Sequence, residues 1–206
     1  MKPAPIALFV YRRPDHARRT IEALRNNELA ADSDLIVFSD GPKTAAAAAQ
    51  VAGVRALLAK VTGFRNVNLV TREHHCGLAQ SIISGVSETV ATRGKVIVLE
   101  EDMVTARYFL RYMNEALDLY EQDEEVISIH GYVYPVEGTL PETFFLRGAD
   151  CWGWATWKRG WDLFEPDGRK LLSELRQRGL ERDFDFDGAY DYTRMLSDQI
   201  AGRNDS

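Results

Sequence analysis

The sequence lacks the features that mark membrane and disulfide-rich secreted proteins. No stretch approaches the roughly 18 consecutive apolar residues of a membrane span, and the apolar run near the N-terminus is too short for the core of a signal peptide. The only two cysteines, Cys76 and Cys151, lie far apart and form no CxxC pair, which argues against a disulfide framework and a zinc site. These absences favour a cytoplasmic protein with reduced thiols.

An excess of positive charge is also missing, as are several catalytic motifs. The net charge of -6 argues against a protein whose main surface binds nucleic acid. Neither a GxGxxG loop, a P-loop, a GxSxG elbow nor a Ser/His/Asp order is present, which counts against dinucleotide enzymes, P-loop kinases and hydrolases. The 206 residues, 45% of them hydrophobic, suffice for one soluble domain with a substantial core.

Strand and helix patterns alternate through the first half of the chain. Four segments read as buried strands: "PIALFVY", "DLIVFSDG", "NVNLVTR" and "KVIVLEED". Each is followed by a helical pattern: "PDHARRTIEALRNNEL", "KTAAAAAQVAGVRALLAKV", "GLAQSIISGVSETVATRG" and "ARYFLRYMNEALDLYEQ". This alternation predicts an α/β fold with a mainly parallel sheet covered on both faces. Farther along, "VISIHGYVYP" and "TFFLRG" read as short strands and the C-terminal segment as a helix.

Polar side chains follow each of the four predicted strands. Because ligands bind at the carboxyl ends of parallel strands, this pattern predicts a site at one edge of the sheet. The side chains concerned are Arg12 and Arg13 after the first strand, Asp40 after the second, His74 and His75 after the third, and Glu100, Glu101 and Asp102 after the fourth.

The acidic triplet suits a hard divalent cation, because Mg²⁺ and Mn²⁺ prefer oxygen ligands and need only one or two protein carboxylates. The alternation of a strand would place Glu100 and Asp102 on one side and Glu101 on the other. The alternative interpretation is a solvated strand end without a ligand. The arginine pair could bind phosphate oxygens, or it could simply lie on the surface at the start of a helix. Asp40 could contact a ribose, or it could belong to an ordinary Asp-Gly turn.

All four tryptophans fall within ten residues, in "CWGWATWKRGW". Tryptophans usually belong to a core, whereas flat indole faces also stack on sugar rings. Both interpretations remain open from the residues, and Trp154 is the candidate for contact with a sugar.

The order of these elements resembles a known family. An arginine-bearing first strand end, "SDG", "GLAQSI", "VIVLEED" and "RGADCWGWATWKRGWD" are together similar to nucleotide-sugar-dependent glycosyltransferases of the GT-A fold, in particular the family-2-like and N-acetylglucosaminyltransferase I-like groups. The resemblance implies a Rossmann-like three-layer α/β/α sandwich. It also implies a single domain over residues 1–206, with a nucleotide-binding part up to about residue 125, an acceptor-side part after it, and a C-terminus that suggests truncation.

The resemblance also implies roles for individual residues. Val10 and Arg13 would line the nucleotide pocket, Asp40 would contact the base or ribose, and His75 would lie near the nucleotide. Glu100 and Glu101 would approach the ribose and the diphosphate, and Asp102 would bind Mn²⁺ or Mg²⁺ directly. The chain departs from the pattern at Glu101, where the group usually has Asp.

In an inverting transferase, a carboxylate on the acceptor side removes the proton of the acceptor hydroxyl. The resemblance places this base near a late helix, which makes Asp205 the leading candidate, with Asp150 and Asp198 behind it. The expected donor is a nucleotide diphosphate sugar, preferably a UDP-sugar, and the expected acceptor is a carbohydrate or glycan. The alternatives are a non-catalytic or truncated nucleotide- or glycan-binding module and, with less support, a sugar-phosphate nucleotidyltransferase.

Overall fold

The computed structural model describes residues 2–204. All four predicted strands and the four helices that follow them are present. They are β1 (Ile6–Val10), α1 (Pro14–Arg25), β2 (Asp34–Ser39), α2 (Ala45–Leu58), β3 (Asn66–Thr71), α3 (Leu78–Arg93), β4 (Lys95–Glu100) and α4 (Phe109–Leu119). A 3₁₀ turn at Ala30–Asp32 precedes β2. Pro14 occupies the first turn of α1, where a missing backbone N–H is harmless.

The later elements are shorter than those of the first half. They are β5 (Ser128–His130), β6 (Trp154–Trp157), α5 (Lys158–Trp161), α6 (Gly168–Gln177), α7 (Glu181–Phe184), a 3₁₀ turn (Phe186–Gly188) and α8 (Tyr192–Ile200). The strand predicted for "TFFLRG" is wrong, because residues 143–148 form no strand. Phe145 and Leu146 are 70% and 71% exposed, so most of their apolar surface is left uncovered.

The sheet has the order β3-β2-β1-β4-β6-β5. The four strands β3, β2, β1 and β4 are parallel, and β6 runs antiparallel between β4 and β5. The prediction of an α/β fold with a mainly parallel sheet is confirmed. The chain builds outward from β1 to β3 and then returns to the other side of β1, so the topological switch point lies between β1 and β4, where ligands of open α/β sheets bind.

Helices cover both faces of this sheet, as the alternation of β1 shows. Ile6, Leu8 and Val10 belong to a core cluster that includes residues of α1, α2 and α4. Ala7 and Phe9 belong to a second cluster, on the opposite face, that includes residues of α3. Successive side chains of a strand point to opposite faces, so each strand contributes to both layers of the core.

The described chain packs as two compact units. The first contains the residues through Phe145 and the segment Ala149–Asp162, and therefore the whole sheet. The second contains Leu146–Gly148 and the residues from Leu163 onward, with α6 packed against α8. The prediction of a single domain remains a prediction. None of the helices between residues 2 and 204 is long and apolar enough to cross a membrane.

Candidate functional site

The acidic triplet lies where β4 ends, at the switch point. β4 ends at Glu100, and Glu101 and Asp102 follow in the turn, so the alternation of a strand does not extend to them. Arg13, which immediately precedes α1, contacts both of the latter carboxylates. Its Nε lies 2.7 Å from Glu101 Oε1, and its Nη1 lies 3.0 Å from Asp102 Oδ2. The hydrogen bond to Glu101 is the main reason that the pKa of Arg13 is raised.

Glu101 is buried and joins three elements. Its side chain accepts hydrogen bonds from the Tyr11 backbone N–H at 2.8 Å and from Arg13 Nε, and its own carbonyl accepts one from the Thr20 hydroxyl at 2.7 Å. Glu101 is only 4% exposed, so its charge needs these donors. Both of its carboxylate oxygens are therefore occupied by the protein itself. Contact of Glu101 with a ligand remains a proposal. In the structure its carboxylate instead holds Tyr11 and Arg13 in place.

Glu100 has the opposite environment. Its side chain is partly buried, yet no residue in the described part of the chain donates a hydrogen bond to its carboxylate. Burial raises the pKa of Glu100, the charges of Asp102 and Glu101 add to the increase, and Arg13 opposes it. The Asp102 side chain is 41% exposed. Glu100 and Asp102 are therefore the two carboxylates at this turn that an added cation or ligand donor would stabilise.

The chemistry of these donors fits a hard divalent cation. Carboxylate oxygens are the ligands that Mg²⁺ and Mn²⁺ prefer, and water and phosphate oxygens complete their coordination. No cluster of three or more His, Cys, Asp or Glu residues that could hold a metal exists within residues 2–204. Asp102, with Glu100 beside it, would therefore supply only part of the coordination of a cation, and water or phosphate oxygens would complete it.

Asp40 holds the loop after β3 against the loop after β2. Its carboxylate accepts hydrogen bonds from the backbone N–H groups of Gly41, Cys76 and Gly77 at 2.8, 3.0 and 3.1 Å. Burial raises the pKa of Asp40, but these donors outweigh burial and the net pKa is lowered. A side chain at Gly41 would overlap the backbone of His74, so the two loops are in direct contact. Ribose or base contact by Asp40 remains a proposal.

His75 lies between the first two strand ends. Its Nδ1 is 2.6 Å from Asp40 Oδ2, although the ring N–H is not directed along a hydrogen bond to that oxygen. Its ring packs against Tyr11, with 4.9 Å between centroids. Tyr11 in turn accepts a hydrogen bond from the Lys43 backbone N–H through its hydroxyl at 3.0 Å. This packing brings His75 and Tyr11 into one wall beside the switch point.

Two arginines that the sequence analysis did not single out hold the strand ends together. Arg55 of α2 donates to the carbonyl oxygens of Ser39, Asp40 and Arg72 at 3.4, 3.2 and 2.7 Å. Arg72 donates to the Ser84 hydroxyl at 2.6 Å, and its buried Nε has no partner among the described residues. A helical arginine looks like an ordinary surface residue in sequence, so no sequence signal marks Arg55.

Val10 and Trp154 face the core. Val10 is 4% exposed and contributes its carbonyl oxygen to the Asp40 backbone N–H at 3.1 Å. Trp154 packs against the core cluster of the α3 face and stacks on Trp161, with 5.8 Å between ring centroids. Trp152 is instead 46% exposed, so it is the more accessible tryptophan for a sugar ring. Contact between Trp154 and a ligand remains a proposal.

The antiparallel strands add a second wall at the same edge. Asp150 accepts a hydrogen bond from the Trp152 backbone N–H at 2.7 Å and is partly exposed. Burial lowers the pKa of His130 despite the nearby charge of Asp150. Burial raises the pKa of the Cys151 thiol, and the neighbouring charge of Glu100 adds to the increase. Cys151, which follows Asp150 in the chain, thus lies within range of the charge of Glu100.

The other two candidates for the base are Asp198 and Asp205. Asp198 lies on α8 in the second unit and pairs with Arg203 at 2.5 Å and with Arg194 at 3.8 Å. Asp205 lies outside the described residues.

The amino edge of the sheet carries an open cleft of about 420 Å³. It is lined by charged side chains that include Asp34, Arg65 and Lys95. Asp34 and Lys95 are the first residues of β2 and β4, so this cleft and the acidic turn lie at opposite ends of the strands.

No protein-family model matches this chain, and no curated protein matches it. Solved structures resemble parts of it. TarS of S. aureus is 11% identical with a TM-score of 0.43, over 57% of this chain and 20% of the TarS chain. The mannosyltransferase PcManGT from Pyrobaculum calidifontis, solved in complex with GDP-Man and Mn²⁺, is 14% identical with a TM-score of 0.41, over 61% and 36%.

A third structure, Rv0371c from Mycobacterium tuberculosis H37Rv, is 18% identical with a TM-score of 0.34, over 56% of this chain and 62% of its own. The chain therefore spans only part of each of these proteins. At these identities and TM-scores the similarities transfer no activity, substrate or metal to this chain.

Proposed function

We propose that this chain is a metal-assisted glycosyltransferase domain that binds a nucleotide diphosphate sugar at the carboxyl edge of its sheet. One observation carries the proposal. The half-exposed Asp102 and Glu100, whose carboxylate accepts no hydrogen bond from the described residues, lie together at the switch point between β1 and β4. Two carboxylates in this position are stabilised by a cation, and a cation with free coordination positions binds a diphosphate.

The proposed chemistry requires stabilisation of the leaving group. Transfer of a sugar breaks its bond to the diphosphate, and charge develops on the leaving oxygen. A divalent cation bound at Asp102 would neutralise that charge. Arg13 supplies a second positive charge at the same turn, and Tyr11 and His75 form the wall beside it.

The acceptor would enter from the side of the antiparallel strands. Asp150 is the base that we propose among the described residues, because it is partly exposed and precedes Cys151, whose thiol is affected by the charge of Glu100. Asp205 remains the alternative base. The preference for a UDP-sugar, the choice between Mn²⁺ and Mg²⁺, the carbohydrate acceptor and the inverting course all belong to this proposal.

A non-catalytic nucleotide- or glycan-binding module is the second candidate. It is favoured by the internal use of the polar groups: Glu101, Asp40 and Arg13 all have partners within the chain. Such a module would bind a nucleotide sugar and release no sugar from it.

Calorimetry with UDP, GDP and their sugars, each with Mn²⁺ or with EDTA, tests the proposal. We expect binding that requires Mn²⁺, followed by slow release of sugar from the favoured donor. Binding that is equal in EDTA would contradict the role of the metal. Metal-dependent binding without any sugar release would favour the second candidate.

The variant Asp102→Ala should remove the Mn²⁺-dependent part of nucleotide binding and leave the thermal unfolding midpoint within a few degrees of the wild type. Asp118→Ala is the matched control, because Asp118 is similarly exposed and also pairs with one cation, Lys95, at the opposite edge. If both variants bind UDP with the same Mn²⁺ dependence as the wild type, Asp102 is not the ligand.

A further inference from the structure

Arg13 already supplies a positive charge at the place where the proposed function needs a cation. Its guanidinium contacts Glu101 through Nε and Asp102 through Nη1, so one side chain joins both acidic residues. A divalent cation that uses Asp102 must share this carboxylate with Arg13 or displace it. The acidic turn is therefore balanced within the chain before any ligand binds.

The two ends of this bridge differ in strength. Glu101 has a side chain that is only 5% exposed, and it also receives the Tyr11 backbone N–H, so the Nε end is buried and supported by a second donor. Asp102 and Arg13 have side chains that are 41% and 44% exposed. Exposed ion pairs contribute little net free energy. The Nη1 contact is thus the one that a competing cation can break while Nε remains on Glu101.

Resting on the proposed function, we propose that Arg13 is an internal counter-cation that competes with the divalent metal for Asp102. Metal binding releases Nη1 from Asp102, and loss of the metal restores the contact. Arg13 acts as a positioning residue: it sets the affinity of the turn for the metal and keeps the carboxylates paired without it.

The sequence offers a matched control one residue away. Arg12 carries the same charge, but its guanidinium lies over the Tyr11 ring, 5.6 Å from the centroid, and makes no ion pair with the acidic turn. Arg12→Gln and Arg13→Gln therefore change the net charge equally. Only the second change removes the competitor from Asp102.

Titration of the full chain with Mn²⁺ alone, followed by electron paramagnetic resonance of the free ion, tests this inference. We expect Arg13→Gln to bind Mn²⁺ about fivefold to tenfold more tightly than the wild type, since a charge beside the metal is removed. Arg12→Gln should change the dissociation constant less than twofold. Equal tightening in both variants, unchanged binding in Arg13→Gln, or undetectable binding in every protein would overturn the inference.

Removal of Arg13 leaves Glu101 with one donor fewer, so Arg13→Lys provides a second variant in case Arg13→Gln fails to fold. A lysine keeps a charge near Glu101, but its single ammonium lacks the planar fork that joins two carboxylates. We expect it to tighten Mn²⁺ binding about threefold, and unchanged binding would contradict the inference.

The same samples separate this inference from the proposed function. Adding UDP-sugar or GDP-sugar to each Mn²⁺-loaded protein tests nucleotide binding independently of the metal titration. Tighter Mn²⁺ binding in Arg13→Gln without any nucleotide binding would support the competition and contradict the transferase proposal. Mn²⁺-dependent nucleotide binding, together with Mn²⁺ affinity that Arg13→Gln does not change, would support the transferase proposal and contradict the competition.

Discussion

Two adjacent glutamates at the end of β4 have the same chemistry and opposite surroundings. Glu101 is buried against Arg13 and the Tyr11 amide, whereas the carboxylate of Glu100 has no donor among residues 2–204. Neighbouring charged residues in one turn can therefore serve different purposes. Glu101 joins β1, α1 and β4 through these hydrogen bonds, whereas burial raises the pKa of Glu100.

This difference predicts opposite effects of the same substitution. Glu101→Gln should lower the free energy of unfolding by about 1–3 kcal/mol, because a buried charge-assisted hydrogen bond is lost. Glu100→Gln should leave the free energy of unfolding unchanged or raise it by up to about 1 kcal/mol at pH 7, because it removes a partly buried charge that accepts no hydrogen bond. Urea unfolding in EDTA measures both.

The effect of Glu100→Gln should depend on pH. The folded-state pKa of Glu100 is raised, so its ionised form costs stability above that pKa and the cost vanishes as the carboxyl protonates. Any gain from Glu100→Gln should therefore disappear as the pH falls through the carboxyl range. Equal destabilisation by Glu100→Gln and Glu101→Gln would contradict this account.

The sequence predicts which polar residues reach the carboxyl edge of the sheet, and it does not predict which of them pair. The order of strands and helices suffices to bring Arg13, Asp40 and the acidic triplet to one edge. The Arg13–Glu101 bond joins residues 88 positions apart and exists only because β1 and β4 are neighbours in the sheet. Sequence alternation could not reveal it, since β4 ends at Glu100, two residues before the predicted end of the strand at Asp102.

Helix α3 packs closely against the sheet at Gly85. A Cβ at Gly85 would come within 2.7 Å of the Phe9 ring and 3.1 Å of the Phe38 ring, and these two rings are stacked on each other. Gly53 in the middle of α2 has nothing within 4 Å of the same position. The two helical glycines thus differ in packing and not in local conformation.

We therefore expect Gly85→Ala to lower the free energy of unfolding by about 1–3 kcal/mol through overpacking. Gly53→Ala should raise it by about 0.5–1 kcal/mol, because alanine favours a helix over glycine. Urea unfolding of both variants provides the measurement. A loss of equal size in both would show that packing against Phe9 is not the cause.

The starts of β2 and β3 are joined by a charge pair at the amino edge. Arg65 donates to both oxygens of Asp34, at 2.9 and 2.6 Å, and Asn66 donates at 2.7 Å. The Arg65 hydrogen bonds are the main reason that the pKa of Asp34 is lowered to about 2. Since the folded-state pKa is depressed, this stabilisation is present above the unfolded pKa and is lost as the pH falls toward 2.

Asp34→Asn should lower the free energy of unfolding by about 1–2 kcal/mol at pH 7, a figure reduced for the partial exposure of Arg65. At pH 2 the same variant should differ little from the wild type. Asp15→Asn serves as the control, because the Asp15 side chain is 86% exposed and its pair with Arg18 is long, at 3.5 Å. A pH-independent effect of Asp34→Asn would contradict the prediction.

The sequence predicts well those elements that carry their own signals. The four parallel strands and their helices have hydrophobic runs, and Gly94 ends α3 in a left-handed conformation at φ 81°. The antiparallel part has weaker signals: β5 keeps three residues of a longer predicted strand, and "TFFLRG" forms none. A strand needs a pairing partner, and the local sequence does not specify that partner.

The strand order of the sheet determines where the candidate site lies. The switch between β1 and β4 brings residues 11–13 beside residues 100–102, while β6 and β5 add the wall with His130 and Asp150. Length and composition could predict the α/β class. They could not predict two compact units or the insertion of β6 between β4 and β5, since both depend on long-range packing.

Crystals of the full chain grown with Mn²⁺ and a nucleotide diphosphate sugar would reveal whether Asp102 binds a metal that also binds the diphosphate. An anomalous difference map should show manganese at coordination distance from the Asp102 carboxylate, with diphosphate oxygens on the same ion and Arg13 Nη1 moved away from Asp102. Nucleotide bound elsewhere, or no manganese at this turn with Arg13 still joining Glu101 and Asp102, would contradict the account.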